Sequence, residues 1–250
     1  VTMDQVLSST LTGEHYHGPV DPQLTGGRPN GTAGVGLEVM ASGADGAPLV
    51  ALGDVDGDGI GDGVFWSSCS LGGSTALWQL HVLLAGATTT EVVPFGDGVA
   101  SESEFVAHDV SIDEREIVAR YWAAEPGEAH CCATTAVTET IRRGGDGYER
   151  RAVDRFSGLD AGNAVAAAAD RNDHGAVQHL VDPGLFAQVV QRQEGYGELD
   201  SCEHFRLGEE PHRVECWIGT TAGWTFVIEL ESIGFRAWAV TSVFDIGGGM

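Results

Sequence analysis

The run Asp54–Asp62, DVDGDGIGD, sets four carboxylates within nine residues and interleaves them with glycine. Like charges this close repel with an energy that only solvent screens, so a fold built around the run needs a positive group at its centre. Asp54, Asp56, Asp58 and Asp62 stand at positions 1, 3, 5 and 9 of a loop, glycines stand at positions 4, 6 and 8, and Ile60 at position 7 can turn its backbone carbonyl inward. Ca²⁺ takes roughly six to eight oxygen ligands in an adaptable geometry, and glycine accepts the sharp turns that let every second side chain converge. The spacing predicts a Ca²⁺ loop whose ligands are Asp54, Asp56, Asp58, Asp62 and the carbonyl of Ile60. Mg²⁺ suits the pattern less well, because it demands an octahedral shell and keeps several of its waters.

The flanks of the loop read as strands, APLVALG before it and GVFWSSC after it. An EF-hand is excluded, since that motif needs a bidentate Glu at position 12 between two helices, and position 12 here is Phe65. The D-x-D-x-D-G-x-x-D run between two strands resembles the calcium loops of FG-GAP repeats. A propeller of such repeats requires several copies, and the chain carries a single one.

Formal net charge is −24, and all 13 basic residues are arginine. Nucleic acids and anionic lipids are bound through clustered cations that release counterions, so this balance argues against both and favours a protein partner with a basic surface. No run of about 18 apolar residues predicts a membrane span. The sequence starts at Val1 rather than at a methionine, which reads as a processed or trimmed product. Its first 32 residues are rich in turn formers and lack periodicity, so residues 1–32 are expected to form an extended N-terminal arm.

Five cysteines point to an oxidising compartment. Cys202 and Cys216 bracket a short segment between two strand-like runs, LDSCEHF and HRVECWI, a spacing that predicts a disulfide. Cys69 can pair with Cys131 or Cys132, which are adjacent to one another. A zinc site at Cys131, Cys132 and the neighbouring His130 is the rival, but it lacks the C-x-x-C spacing.

Residues 33–156 show strand after strand with turn signals between, as in IVARYW and AVTETIR, where apolar and polar positions alternate. From 157 onward Ala-rich helical segments precede four strands. The expected class is therefore α+β: an antiparallel β domain over 33–156, then an α+β domain over 157–250 that is similar to NTF2-like or cystatin-like modules. The second domain's aromatic residues, among them Phe226, Trp238 and Phe244, are expected in its core.

The stretches GDVDGDGIGDGVFWSSCSLGG and VSIDEREIVARYWAAEPGEAHCCATTAVTETIRRGGDGY together resemble the LppP/LprE lipoproteins of high-GC Gram-positive bacteria, which carry an Asp/Gly loop, a strand ending in Cys, a Cys–Cys segment and an R-x-x-GG hairpin. The matching positions are Asp54, Asp56, Asp58 and Asp62, then Cys69, then Cys131 and Cys132, with Ala133 where the family has proline. The resemblance implies a cell-envelope location and no known reaction, and the expected place is extracytoplasmic, either secreted or attached to the outer face of the cell membrane. The chain lacks G-x-S-x-G, H-E-x-x-H and a P-loop. The expected function is a non-enzymatic docking or accessory subunit with structural calcium, and the alternative is a secreted hydrolase or thiol-redox enzyme that uses Cys131 and Cys132.

Overall fold

The computed structural model describes residues 1–11, 14–15, 18–19, 23–26, 28–29, 36–39, 48–70, 76–94, 105–123, 135–196, 203–205, 213–219 and 225–246. The chain divides into two compact units, Val1–Ala133 with Val137–Arg155, and Thr134–Ala136 with Phe156–Met250.

The first unit begins with α1 (Met3–Val6) and the two-residue strands β1 (Glu14–His15), β2 (Gly18–Pro19), β3 (Leu24–Thr25) and β4 (Arg28–Pro29). A five-stranded antiparallel sheet follows: β5 (Gly36–Val39), β6 (Val50–Gly53), β7 (Asp62–Ser70), β8 (Ala76–Leu83) and β9 (Glu91–Val93). Its organiser is β7, which pairs with β5, β6 and β8. A second sheet runs in chain order through β10 (Phe105–Asp113), β11 (Glu116–Ala123), β12 (Thr135–Gly144) and β13 (Gly147–Ser157).

Strand alternation builds the core. Val64 and Trp66 stand opposite Val82 and Leu80 on one face of the five-stranded sheet, and these four join Ile117, Ala119, Tyr121, Val137 and Ile141 of the second sheet in one buried cluster. Trp66 meets Tyr121 edge-on at 6.2 Å and donates its indole N–H to the Asp109 carbonyl at 3.1 Å. Burying one large side chain of this kind is worth about 1.5–3 kcal/mol, so the two sheets are held mainly by this layer.

The opposite face of β7 and β8 receives apolar residues from the start of the chain. Val6, Leu11 and Leu24 are buried against Phe65 and Leu83. Thr2 caps α1 in a reciprocal box with Gln5, and Thr10 bridges to Gln23 and Thr89. These apolar residues follow neither the strand nor the helix period. They form one cluster with side chains of a sheet whose strands lie elsewhere in the chain.

The second unit holds α2 (Gly158–Asp170), a 3₁₀ turn at His174–Val177, α3 (Pro183–Tyr196), and an antiparallel sheet in the order β14 (Glu203–Phe205), β15 (Arg213–Gly219), β16 (Thr225–Gly234) and β17 (Ala237–Ile246). Ser157 caps α2, with Asp160 completing the box three residues on, and Asn172, in the left-handed region at φ 49°, follows its end. Phe226 and Trp238 are buried as alternation predicts, whereas Phe244 is exposed.

The expected class does not hold. Antiparallel sheet accounts for most of the described residues, in large sheets of five, four and four strands, while the α-helices number three, of 4, 13 and 14 residues. The chain is mostly β rather than a β domain followed by an NTF2-like or cystatin-like α+β domain. The Ala-rich composition of residues 161–170 signals helix strongly, but α2 and α3 are short insertions between long hairpins, and it is the hairpins that set the architecture.

Candidate metal centre

The pair Gly53↔Asp62 at the end of the β6–β7 ladder closes the acidic loop. Within it each early carboxylate accepts backbone N–H groups from residues further along. Asp54 takes the N–H of Gly57 at 2.5 Å and of Gly59 at 3.1 Å, Asp56 that of Asp58 at 3.0 Å, and Asp58 that of Ile60 at 2.7 Å. Short acidic side chains favour such turns over helix or strand. Gly57 and Gly59 supply the left-handed conformations the loop requires, at φ 85° and 84°. As a result, one carboxylate oxygen from each of Asp54, Asp56 and Asp58 lies within 4.8 Å of the others. This group could hold a metal ion.

Asp62 and Ile60 are placed differently from the sequence expectation. Asp62 is fully buried, and its two oxygens accept the N–H of Val55 and of Ala85, each at 2.8 Å. It ties the loop to the turn after β8 and does not join the other three. Ile60 contributes its N–H to Asp58, and its side chain is exposed.

Arg115 joins the loop from a hairpin far along the chain. Its guanidinium donates to the Asp56 carbonyl at 2.8 Å and lies so close to Gly57 that a Cβ there would stand 1.8 Å from Nη2. The two-residue turn between β10 and β11 puts Glu114 and Arg115 at φ 45° and 69°. Both conformations are costly for residues other than glycine, asparagine or aspartate. Two-residue hairpins of this hand usually announce themselves with Asn-Gly or Asp-Gly, a signal absent from Asp113–Glu116. Gly57→Ala is expected to cost about 1–3 kcal/mol through its positive φ alone, and more if Arg115 cannot withdraw. Urea unfolding with chelator present checks this, and Arg115→Ala in the same background should recover only the steric part.

Of the five cysteines, Cys216 is buried and disulfide-bonded. Its expected partner Cys202 lies outside the described residues, as do Cys131 and Cys132. Cys69 sits in β7 opposite Leu37 and Leu77, with its side chain outside the described set. Neither the second expected bridge nor the thiol chemistry of Cys131 and Cys132 meets a described side chain.

A second polar cluster escaped sequence reading. Ser67 Oγ lies 2.8 Å from His81 Nε2, and Thr90 Oγ1 lies 3.2 Å from His81 Nδ1. The order hydroxyl, imidazole, hydroxyl matches a nucleophile with its base and an orienting group. All three residues are buried, however, and His81 stacks on Phe65 at 5.4 Å, so the cluster joins β7, β8 and the start of β9 rather than facing a substrate.

Comparison with known proteins finds no family model that matches the chain, and no match among curated proteins or solved structures. Among the described residues no helix is long and apolar enough to cross a membrane.

Proposed function

We propose that this chain is a non-enzymatic extracytoplasmic protein of the cell envelope, of the LppP/LprE kind, which binds structural Ca²⁺ at the Asp54–Asp58 loop and serves as a docking or accessory subunit of a membrane-associated complex. The observation that carries the reading is the convergence of Asp54, Asp56 and Asp58. A loop that spends its backbone N–H groups on orienting carboxylates toward one another has a donor set made wholly of oxygen, which suits Ca²⁺. The bound ion would neutralise the three charges and fix the β6–β7 turn. The disulfide at Cys216 supports an oxidising location. A net charge of −24 supports a partner with exposed Arg or Lys and an association that weakens as salt rises.

Ca²⁺ at a hundredfold excess over its Kd is expected to add about 2.7 kcal/mol to stability. Thermal unfolding in calcium and in chelator measures this, and Asp56→Ala should abolish the difference. An unchanged calcium response in Asp56→Ala would remove the loop as the site, whereas a protein with no calcium response at all would remove structural calcium from the reading. Recovery of the native protein free of partners at every salt concentration would count against the docking role.

A further inference from the structure

Strand β13 is 11 residues long and ends its sheet, with β12 on one side and, among the described residues, no strand on the other. Arg151, Ala152, Val153, Asp154 and Arg155 are exposed in succession, so both faces of the strand are open there. An uncovered edge of this length is a ready template for another strand. Proteins often blunt such edges with proline or a bulge, or with charges that repel. The sequence Glu149–Arg155, ERRAVDR, contains no proline, and its charges have a different property.

Read against itself in reverse about Ala152, the segment is complementary. Glu149 falls opposite Arg155, Arg151 opposite Val153, and Ala152 opposite itself; Arg150 falls opposite Asp154, but its guanidinium is already engaged by Glu139 of β12, so the Glu149–Arg155 pair carries the complementarity. In a twofold antiparallel pair, both members of each facing pair must direct their amides the same way, which puts the axis at a residue position. Moving it to Val153 would set Arg151 against Arg155, and moving it to Arg151 would set that residue against its own copy. Parallel pairing in register would place every charge against its like. Cross-strand pairs of opposite charge stabilise and like charges opposite one another destabilise, so the register about Ala152 is favoured over these alternatives. The β12–β13 hairpin holds Arg142, Arg143, Arg150, Arg151 and Arg155, five of the 13 arginines, against the four acids Glu139, Asp146, Glu149 and Asp154, so two copies meet here with far less repulsion than the net charge of −24 implies.

We propose that two copies of this chain associate through their β13 strands, antiparallel about a twofold axis at Ala152, joining two four-stranded sheets edge to edge. The contact is isologous and consumes both edges, so assembly stops at the dimer. Glu149 already bonds Arg151 of its own strand at 3.1 Å; in the dimer it lies between that guanidinium and Arg155 of the second copy.

Sedimentation equilibrium of the whole chain tests this, with circular dichroism to establish that the variants are folded. The wild-type protein should show a concentration-dependent dimer. Glu149→Arg and Arg155→Glu, both at exposed positions, should each weaken it about tenfold, since each substitution places like charges opposite one another twice in the dimer. An equimolar mixture of the two variants should restore wild-type affinity as a heterodimer, because each residue 149 again meets an opposite charge at residue 155. A wild-type monomer at all accessible concentrations, single variants that dimerise like wild type, or a mixture no tighter than the variants alone would each overturn the proposal.

Discussion

Asp62→Ala is expected to cost about 3–5 kcal/mol, with or without calcium, because hydrogen bonds to a charged group contribute about 1.5–3 kcal/mol each. The carboxylate is fully buried and accepts the N–H of Val55 from inside the loop and that of Ala85 from the turn after β8. Removing it strands both donors and separates two segments that no other described side chain joins in this way. Asp62→Asn keeps one acceptor but turns an amide N–H toward the second donor, so it should recover no more than half of the loss. Against a total stability of about 5–15 kcal/mol for a typical domain, the alanine variant stands close to unfolding. Urea midpoints in chelator and in calcium separate this role from that of a ligand. Asp62→Ala should lose stability equally in both, whereas Asp56→Ala should lose it only where calcium is present. Equal behaviour of the two variants would return Asp62 to the metal's ligand set.

That contrast shows where the sequence was legible. Three carboxylates at alternate positions with glycines between them form a local signal, since the turns that gather them involve neighbours two to five residues away. Asp62 belongs to the same motif in sequence, but Ala85 lies 23 residues beyond it, and a partner at that separation leaves no trace in spacing. Arg115 is separated further still, 59 residues from Asp56, and its approach depends on a hairpin turn without the usual glycine. The strands themselves were readable from alternation, as in β11, where Ile117, Ala119 and Tyr121 are buried and their neighbours are less so. Alternation fails where acids are buried within strands, at Glu139, Glu215 and Glu229. A carboxylate at an inward position reads as a solvated one until its partners are known.

Arg150→Ala is expected to cost about 3–5 kcal/mol near neutral pH, the loss that follows when one partner of a buried ion pair is removed. Glu139 is fully buried on β12, and the Arg150 guanidinium of β13 forms its salt bridge. Burial pushes the Glu139 carboxyl above its ordinary value of 4.5, while the charges of Arg150 and Arg155 and a hydrogen bond with Tyr121 pull it back. Without Arg150 the upward shift grows. A carboxyl whose folded value is raised holds its proton in the native state at a pH where the unfolded chain has released it, so stability falls as pH rises from the unfolded value through the folded one. The deficit of the variant against wild type should therefore grow as pH rises above the ordinary value of 4.5 through the raised folded value, and should shrink toward more acid pH, where Glu139 can fold protonated. Glu91 acts in the opposite sense. Its hydrogen bond with Arg143 holds its carboxyl below the ordinary value, so its contribution is present above about pH 4.5 and is lost as pH falls through the lower folded value. Because Glu91 is partly exposed, that loss is small and confined to more acid conditions. Unfolding in urea across this range, with Arg150→Ala/Glu139→Gln as the control, reads the effect directly. The control keeps the pH dependence of the other groups but should lack the part that grows between Arg150→Ala and wild type, since its residue 139 carries no charge to bury, and a gap between Arg150→Ala and wild type that stays constant with pH would show that the lost stability was packing rather than charge.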